Sequence, residues 1–370
     1  MNLRIIAQNV IRFRTAKNLS QRSLAENAGL SLSAIKSIEL AKKEPQIRTM
    51  QAIAKALDLR VKELFRPVRE LRTVRFRSNK QLRTRGNILA DVARWLDDFN
   101  YLEESLSNKI PFSLNAVRGQ CPRDRLDSLA KLCREKLELN DKDPIHDICG
   151  LIEHAGVKVV TFPVASDSFF GLSVGEEDGG PAVMVNVWER ISVERRIFTA
   201  ARELGHLILH PESFDATKVD ENKDEEQDAN CFAGHFLMPD DGFRKEWNEA
   251  AGLRFVDRVF KVKRIFRVSY KTVLSRLLEL QAVDKIIWVK FNMDYQRHFN
   301  RSLPFKEEPM RVNSVEPFGM QRFDFYEDRF KRLTREAVEK DKISLSRGAE
   351  MLRISVEDMR DLLQNWAVVL

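Results

Sequence analysis

At 370 residues the chain exceeds the size at which a single hydrophobic core usually stops growing, so we expect two or more domains. A composition of 43% hydrophobic and 32% charged residues, without an apolar run long enough to cross a bilayer, excludes a membrane protein. The N-terminus lacks a secretory signal, and the cysteines (Cys121, Cys133, Cys149 and Cys231) form no C-x-x-C pair. We therefore expect a cytoplasmic protein with reduced, mostly buried thiols and no membrane partner.

Charge is distributed unevenly along the chain. Residues 1–86 carry 20 Lys and Arg against 6 Asp and Glu, a net charge of +14, whereas the remaining residues carry 42 against 49, a net charge of −7. A basic segment attached to an acidic body is typical of proteins that bind nucleic acid at one end. The sequence therefore predicts a nucleic-acid-binding N-terminal domain and a body with another role.

The first 65 residues predict five helices around a small core. Ile6, Val10 and Phe13 have the spacing of one buried helix face. Ser20 is placed to cap a second helix, and Gly29 can adopt the positive φ of a tight turn before the third. The five predicted helices are Leu3–Lys17, Gln21–Ala28, a helix from Ser31, Thr49–Leu57 and Val61–Phe65. Two short helices across a glycine turn predict a helix-turn-helix unit.

The string L-S-Q-R-S-L-A-E-N-A-G-L-S-L-S-A-I-K-S-I-E-L-A-K-K-E-P, followed by I-A-K-A-L-D-L and K-E-L-F, resembles the XRE (lambda-repressor-like) family over this whole segment. The resemblance implies binding to double-stranded DNA as a homodimer, with the second helix of the unit in the major groove. It makes Ser31, Ser33, Lys36 and Ser37 candidates for base contacts, and Gln21, Arg22, Lys42 and Lys43 candidates for phosphate contacts. Ala41 stands where the family usually has glycine, and Glu39 is expected to be structural. A helical bundle that binds only protein is the alternative.

A basic stretch and a helix follow the first domain. Residues 71–77, together with Lys80, Arg83 and Arg85, contain six cations and no acid, which fits either an extension of the DNA footprint or a solvated linker. From about Gly86 to Ser107, apolar residues at helical spacing predict a connector or dimer helix.

A mixed pattern begins near Phe112. Helices are predicted at Arg123–Leu137, at Pro144–Ala155 and from Val193, and strands at Val157–Phe162, Phe169–Val174 and Pro181–Val187. The last of these helices contains A-R-E-L-G-H-L-I-L-H. An H-E-x-x-H helix places two imidazoles one turn apart as zinc ligands, with the glutamate as general base, and this chain has R-E-L-G-H in that frame.

The segment F-T-A-A-R-E-L-G-H-L-I-L-H, the preceding V-N and the later E-Q-D-A-N-C-F-A-G-H-F-L-M-P resemble the ImmA/IrrE metallopeptidase family over roughly residues 112–280. The resemblance places Arg202, His206 and Glu226 at the metal-ligand positions, with Asp228 as second choice for the acid, and Glu203 at the general base. Arginine stays protonated and offers no lone pair to a cation.

Three interpretations of this segment remain. In the first, the domain is a metal-free pseudo-peptidase in which Arg202 pairs with Glu226 or Glu203. In the second, Zn²⁺ is held by a shifted set of Glu203, His206 and His210, with or without Glu226, because these positions share one helix face. In the third, the two histidines are merely structural. His235 could line the same pocket.

The C-terminal part is predicted to be mainly helical. The sequence predicts helices within Phe243–Leu280, a strand at Lys285–Phe291 and a loop or arm at Ser302–Gly319. A last helical unit runs from about Phe323, with Ser346 and Ser355 at expected helix starts. Its would-be recognition helix carries Glu357, Asp358 and Asp361, which would repel phosphate, so we expect an interaction or packing module.

Together these patterns predict a mostly helical α+β chain: a five-helix lambda-repressor-like domain (1–70), a basic linker and connector helix (71–111), a zincin-like ImmA/IrrE domain with a small sheet (112–282) and a helical C-terminal module (283–370). The predicted function is sequence-specific transcriptional regulation by DNA binding, with a non-catalytic body that senses a signal or binds a partner such as a toxin or repressor. The alternatives are an active zinc endopeptidase that cleaves itself or a repressor, and an antitoxin of a toxin-antitoxin or defence operon.

Overall fold

A computed structural model describes residues 2–17, 19–65, 67, 69–76, 84–119, 125–218, 222–280, 286–303 and 320–367. The chain divides into two compact units, the first made of Met1–Leu71 with Lys80–Asp98 and the second of Arg72–Asn79 with Phe99–Leu370. The described residues form a mostly helical α+β fold with one four-stranded sheet, as the sequence predicts. None of their helices combines the length and the hydropathy that a membrane span requires.

The first unit is a small helical bundle. Its helices are α1 (Leu3–Ala16), α2 (Gln21–Ala28), α3 (Leu32–Glu39), α4 (Ile47–Ala56) and the part of α5 (Arg85–Ser105) up to Asp98. Ile6, Val10, Leu24, Ile35 and Ile53 are fully or almost fully buried in its core. The fifth predicted helix is a single 3-10 turn, Val61–Leu64, because only Leu64 there is buried as an apolar anchor.

The second unit is built on the sheet. Its strands are β1 (Val74–Phe76), β2 (Lys158–Phe162), β3 (Gly171–Val174) and β4 (Ala182–Asn186), in the order β1-β3-β4-β2. Strands β2 and β4 are parallel, whereas β3 is antiparallel to both β4 and β1. Strand β1 differs from both interpretations of the basic stretch, because residues 74–76 are buried in the sheet. Arg77, Lys80 and Arg83 lie outside the described residues.

Two helices cross the second unit next to this sheet. Helix α8 (Val193–Leu209) is buried along most of its length and packs on both the sheet and α9 (Lys223–Leu237). A Cβ at Gly205 would lie 2.8 Å from Cδ1 of Phe232, so glycine allows α8 to approach α9 closely. Helices α6 (Leu126–Lys136) and α7 (Ile148–His154) complete this layer as predicted. Cys133 and Cys149 are buried free thiols, and Cys121 lies outside the described residues.

The C-terminal helices are α10 (Asp240–Glu249), α11 (Phe255–Phe266), α12 (Tyr270–Glu279), α13 (Ile287–Phe299), α14 (Arg329–Glu339), α15 (Leu345–Leu352) and α16 (Val356–Ala367). The predicted strand Lys285–Phe291 is wrong in its described part. Ile287, Phe291 and Tyr295 are buried four residues apart, which is the spacing of a helix face. Lys285 and most of the predicted arm, residues 304–319, lie outside the described residues.

Three helix pairs share the same junction chemistry. The first helix ends at a left-handed residue (Gly29, Arg267 or Arg353), an apolar residue follows, and a serine caps the second helix. The three serines (Ser31, Ser269 and Ser355) accept the backbone N–H three residues ahead at 3.1, 3.1 and 2.9 Å. The cap of α15 is Ser344 and not the predicted Ser346, because the helix begins at Leu345.

The turn after helix α3 also contains a left-handed residue, Ala41, with φ of 53°. A Cβ destabilises this conformation, so we expect Ala41→Gly to stabilise the first unit by about 1 kcal/mol. Hydrogen exchange of the α2 and α3 amides measures this change. The matched control is Gly29→Ala at φ of 63°, where a Cβ would meet nothing within 4 Å and the substitution should destabilise the same amides. Slower exchange in the Gly29→Ala variant would contradict the expectation. So would an unchanged exchange rate in the Ala41→Gly variant.

Candidate functional site

Helix α3 presents a polar outer face. Ser31, Ser33 and Lys36 are exposed and Ser37 is half-buried, while Ile35 and Ile38 point into the core. Lys42 and Lys43 are exposed directly after the helix. The residues predicted for base contacts therefore lie together on one accessible helix, and two of the predicted phosphate contacts lie at its end.

Ser31 and Gln21 are among the candidate residues that have other partners within the first unit. The Ser31 hydroxyl caps α3 and lies 2.9 Å from the Ser33 hydroxyl. The Gln21 amide donates to Oε2 of Glu39 at 2.6 Å. Since free hydroxyl lone pairs and amide groups can make further hydrogen bonds, these contacts orient both side chains without removing them from the surface.

Glu39 joins the three helices of the helix-turn-helix region. Its side chain is 4% exposed and accepts from Arg14 Nε at 2.6 Å and from Arg14 Nη2 at 3.1 Å, in addition to Gln21. Arg14 also donates to the Leu19 carbonyl oxygen at 2.8 Å. This network agrees with the structural role expected for Glu39. The sequence did not predict the pairing of Arg14 with Glu39, because a single arginine on α1 is usually exposed to solvent.

We expect Glu39→Ala to destabilise the first unit by about 2–3 kcal/mol, because it leaves the bidentate Arg14 guanidinium unpaired in a largely buried position. Arg22→Ala is the matched control, since the Arg22–Glu26 pair is exposed and contributes at most about 0.5 kcal/mol. Urea titration, monitored by hydrogen exchange of the α1 amides, measures the free energy of unfolding of both variants. Equal effects of the two substitutions would show that Glu39 is not the organising residue.

In the second unit, Glu203 lies fully buried on α8. Its Oε2 accepts from the Ser173 hydroxyl of β3 at 2.6 Å, and its Oε1 accepts from Arg202 Nη2 at 2.7 Å. Ser173 was not predicted as a site residue, because strand alternation alone does not show which helix it faces. Both carboxylate oxygens of the predicted general base are therefore hydrogen-bonded.

Two arginines converge on the acidic start of α9. Arg202 Nη1 is 3.7 Å from Glu226 Oε2, and Arg75 Nη2 is 3.5 Å from Glu226 Oε1. Arg75 also pairs with Glu225, which accepts from the Ser213 hydroxyl at 2.7 Å. Burial opposes ionisation of Glu225, but the Ser213 and Arg75 contacts outweigh it and hold its pKa below the ordinary value. Pairing of Arg202 with both Glu203 and Glu226 matches the two options that the sequence left open.

The two histidines face each other at the end of α8. The Nδ1 atoms of His206 and His210 are 3.0 Å apart, so one carries the hydrogen and the other accepts it. His206 Nε2 is 3.7 Å from Glu226 Oε1, and His210 Nε2 is 3.8 Å from Asp228 Oδ2. Burial, with Arg75 and Arg202 nearby, holds the pKa of His206 well below its ordinary value. These surroundings favour the neutral imidazole of His206.

These residues do not fit a zinc ion as they stand. The carboxylates of Glu203 and Glu226 are paired with guanidinium groups, which repel a cation and cannot ligate it. The side chains of the shifted set have other partners, since Glu203 accepts from Ser173 and the Nδ1 atoms of His206 and His210 bond to each other. Within the described part of the chain, no three His, Cys, Asp or Glu residues form a metal-binding group.

His235 does not belong to this cluster. Its ring nitrogen Nδ1 lies 2.8 Å from Arg276 Nη2 and 3.6 Å from Asp240 Oδ1. Arg276 is almost fully buried and also pairs with Asp240 and with Glu279. The prediction that His235 lines the same pocket is therefore replaced by a role in joining α9 to α10 and α12.

Comparisons with known proteins match the two units separately. Residues 10–64 match a helix-turn-helix family model, and residues 152–278 match the family described as IrrE N-terminal-like domain. The control protein C.SmaI of Serratia marcescens is 40% identical over 61 residues, which is 16% of this chain and 73% of that protein. Strand β1 and helices α13 to α16 lie outside both matched ranges.

Proposed function

Since the chain belongs to the XRE-type helix-turn-helix family of DNA-binding transcriptional regulators and carries an IrrE-like domain, we propose that the second unit controls DNA binding without peptidase chemistry. The observation that carries the proposal is the position of Arg202, whose guanidinium lies between Glu203 and Glu226. A peptidase site of this kind needs a ligand with a lone pair at that position.

The surroundings of Glu203 support the same proposal. A general base must direct an oxygen at the proton that it removes. Oε1 accepts from Arg202 and Oε2 from Ser173, at 2.7 and 2.6 Å. Glu203 therefore acts as a structural link between α8 and β3, with Arg202 extending the link to α9. In this arrangement the second unit is a sensor or partner-binding module.

Metal content tests the substitution directly. We expect the purified full-length protein to contain far less than stoichiometric zinc by elemental mass spectrometry, and Arg202→His to acquire zinc. Histidine at 202 would stand one turn before His206, whose Nε2 is already 3.7 Å from Glu226. Arg202→Lys is the matched control, because it keeps the charge and supplies no ligand.

Stoichiometric zinc in the wild-type protein, lost on His206→Ala, would overturn the non-catalytic proposal in favour of a zinc endopeptidase. Failure of Arg202→His to bind zinc would show that Arg202 is not what excludes the metal. Added EDTA is expected to leave the DNA affinity of the wild type unchanged. The antitoxin role stays a prediction from the sequence.

For the first unit we propose that α3 enters the major groove of each half-site, with the protein acting as a homodimer. Lys36 and Ser33 are exposed in the middle of α3 and would read base edges, together with Ser37 and Ser31. Lys42, Lys43 and Arg22 are exposed around the same helix and would bind phosphates, with Gln21 held at the start of α2 by Glu39.

Selection from a random duplex pool, followed by salt titration, separates these roles. Lys42→Ala with Lys43→Ala should weaken binding to all sequences and lower the slope of log K against log salt by about 2, because two phosphate contacts are lost. Lys36→Ala should instead relax the selected base at one position, costing about 1–3 kcal/mol there.

The control for these variants is Lys245→Ala, which removes an exposed lysine of α10 in the second unit and should change neither quantity. An unchanged selected sequence in the Lys36 variant would exclude base contact by this residue. Absence of DNA binding at low salt would overturn the assignment of the surface.

A further inference from the structure

Strand β1 lies in sequence between the two segments of the first unit, but it belongs to the second unit. The residues before it, up to Leu71, and those from Lys80 belong to the first unit, whereas 72–79 belong to the second. It adds to β3 at the edge of the sheet, with Arg75 opposite Ser173, and lies outside the range that matches the IrrE-like family. The other three strands, β3, β4 and β2, all lie within the matched range.

The backbone of this segment is gripped beyond the strand ladder. The Asp178 carboxylate accepts from the backbone N–H groups of Arg72 and Thr73 at 2.5 and 2.6 Å, and from the Thr73 hydroxyl at 3.0 Å. The carbonyl oxygens of Arg72 and Thr73 accept from Ala216 N at 2.7 Å and Gly175 N at 2.8 Å. Such main-chain contacts hold an extended peptide whatever its side chains are.

The side chains of β1 occupy matching positions on the two faces of the strand. Val74 is fully buried, and the Phe76 ring stacks on Phe169 with centroids 4.8 Å apart. Arg75 points to the other face. There its guanidinium pairs with Glu225 and Glu226, and its side chain is 8% exposed. The site therefore distinguishes an apolar, an arginine and a second apolar side chain.

We propose that the second unit is a peptide-recognition module whose ligand is an extended apolar-Arg-apolar segment. Residues 72–76 are its resident ligand, and a segment of the same chemistry from a partner protein exchanges with them. Because residues 72–76 lie in sequence between the two segments of the first unit, Met1–Leu71 and Lys80–Asp98, this exchange releases chain next to the DNA-binding helices, whereas the connection through α5 is unchanged. The inference names the partner chemistry of the proposed regulatory role and rests on that role.

Binding of a labelled peptide to the full-length protein tests the exchange. The peptide has the sequence of residues 71–77, Leu-Arg-Thr-Val-Arg-Phe-Arg. Arg75→Glu should vacate the site, because a third carboxylate would stand against Glu225 and Glu226. We expect this variant to bind the peptide about tenfold or more tightly than the wild type, where the tethered strand competes at a high effective concentration. Arg75→Lys is the matched control and should resemble the wild type.

A peptide with alanine in place of its central arginine should not bind, and equal binding would overturn arginine recognition. No saturable binding by the Arg75→Glu protein would overturn the exchange itself. Sedimentation could instead show that the wild type is a dimer and that the Arg75→Glu variant is not. This result would assign the site to strand exchange between two copies of the chain and overturn the proposal that a partner protein supplies the segment.

If the Arg75→Glu variant fails to fold, hydrogen exchange of the wild-type protein tests whether β1 is an exchangeable ligand. The amides of β1 should exchange faster than those of β2, the strand at the opposite edge of the sheet, because an exchangeable ligand opens locally. Equal protection of the two strands would make β1 an integral part of the sheet and overturn the proposal. Zinc content does not enter these results, so failure of the non-catalytic proposal would be recognised separately.

Discussion

The structure of the second unit depends on neutralising carboxylates that are held out of water. Glu203 is fully buried and Glu226 lies beside it at the start of α9. Leaving either charge uncompensated would cost several kcal/mol. Arg202 and Arg75 supply the positive charge that a bound cation supplies in a metal site, and they also fix the spacing of α8, α9 and β1. Arg202 therefore balances the buried carboxylates and joins the elements that surround them.

The same constraint is met elsewhere in the second unit. Glu103 is buried and pairs with Lys158 of β2 at 3.2 Å and with Arg329 of α14 at 2.7 Å. Lys263 of α11 pairs with Glu194 of α8 at 3.0 Å, both almost fully buried. Since removing one partner of such a pair is costly, each pair specifies which elements must meet. Glu103 lies on α5, so the two pairs connect α14 to β2 through α5, and Phe330 of α14 also stacks on Phe99 of α5.

Local signals predicted most of the fold, and non-local pairing accounts for the main misses. Serine caps, left-handed turns and helical spacing place α2, α3 and α8 within a residue or two of their observed bounds. Strand β1 could not be predicted, because its partner β3 is distant in sequence and three residues carry too little periodicity. For α13, the run I-I-W-V fits a strand or a buried helix equally, and only Phe291 and Tyr295 further along distinguish them. The pairing of Arg202 with Glu203 and Glu226 could be predicted from its residue type and position, whereas the contribution of Arg75 needed the fold.

The repeated helix junction shows why the fold alone does not identify a DNA-binding surface. The pairs α2–α3 and α15–α16 share a left-handed turn residue and a serine cap, so the backbone makes the same kind of turn between the two helices of each pair. Their exposed residues differ: Lys36 lies on α3, whereas Glu357, Asp358 and Asp361 lie exposed on α16. A phosphate backbone attracts the first surface and repels the second. Surface charge, and not the helical geometry that the two pairs share, therefore distinguishes α3 from α16 as a surface for a phosphate backbone.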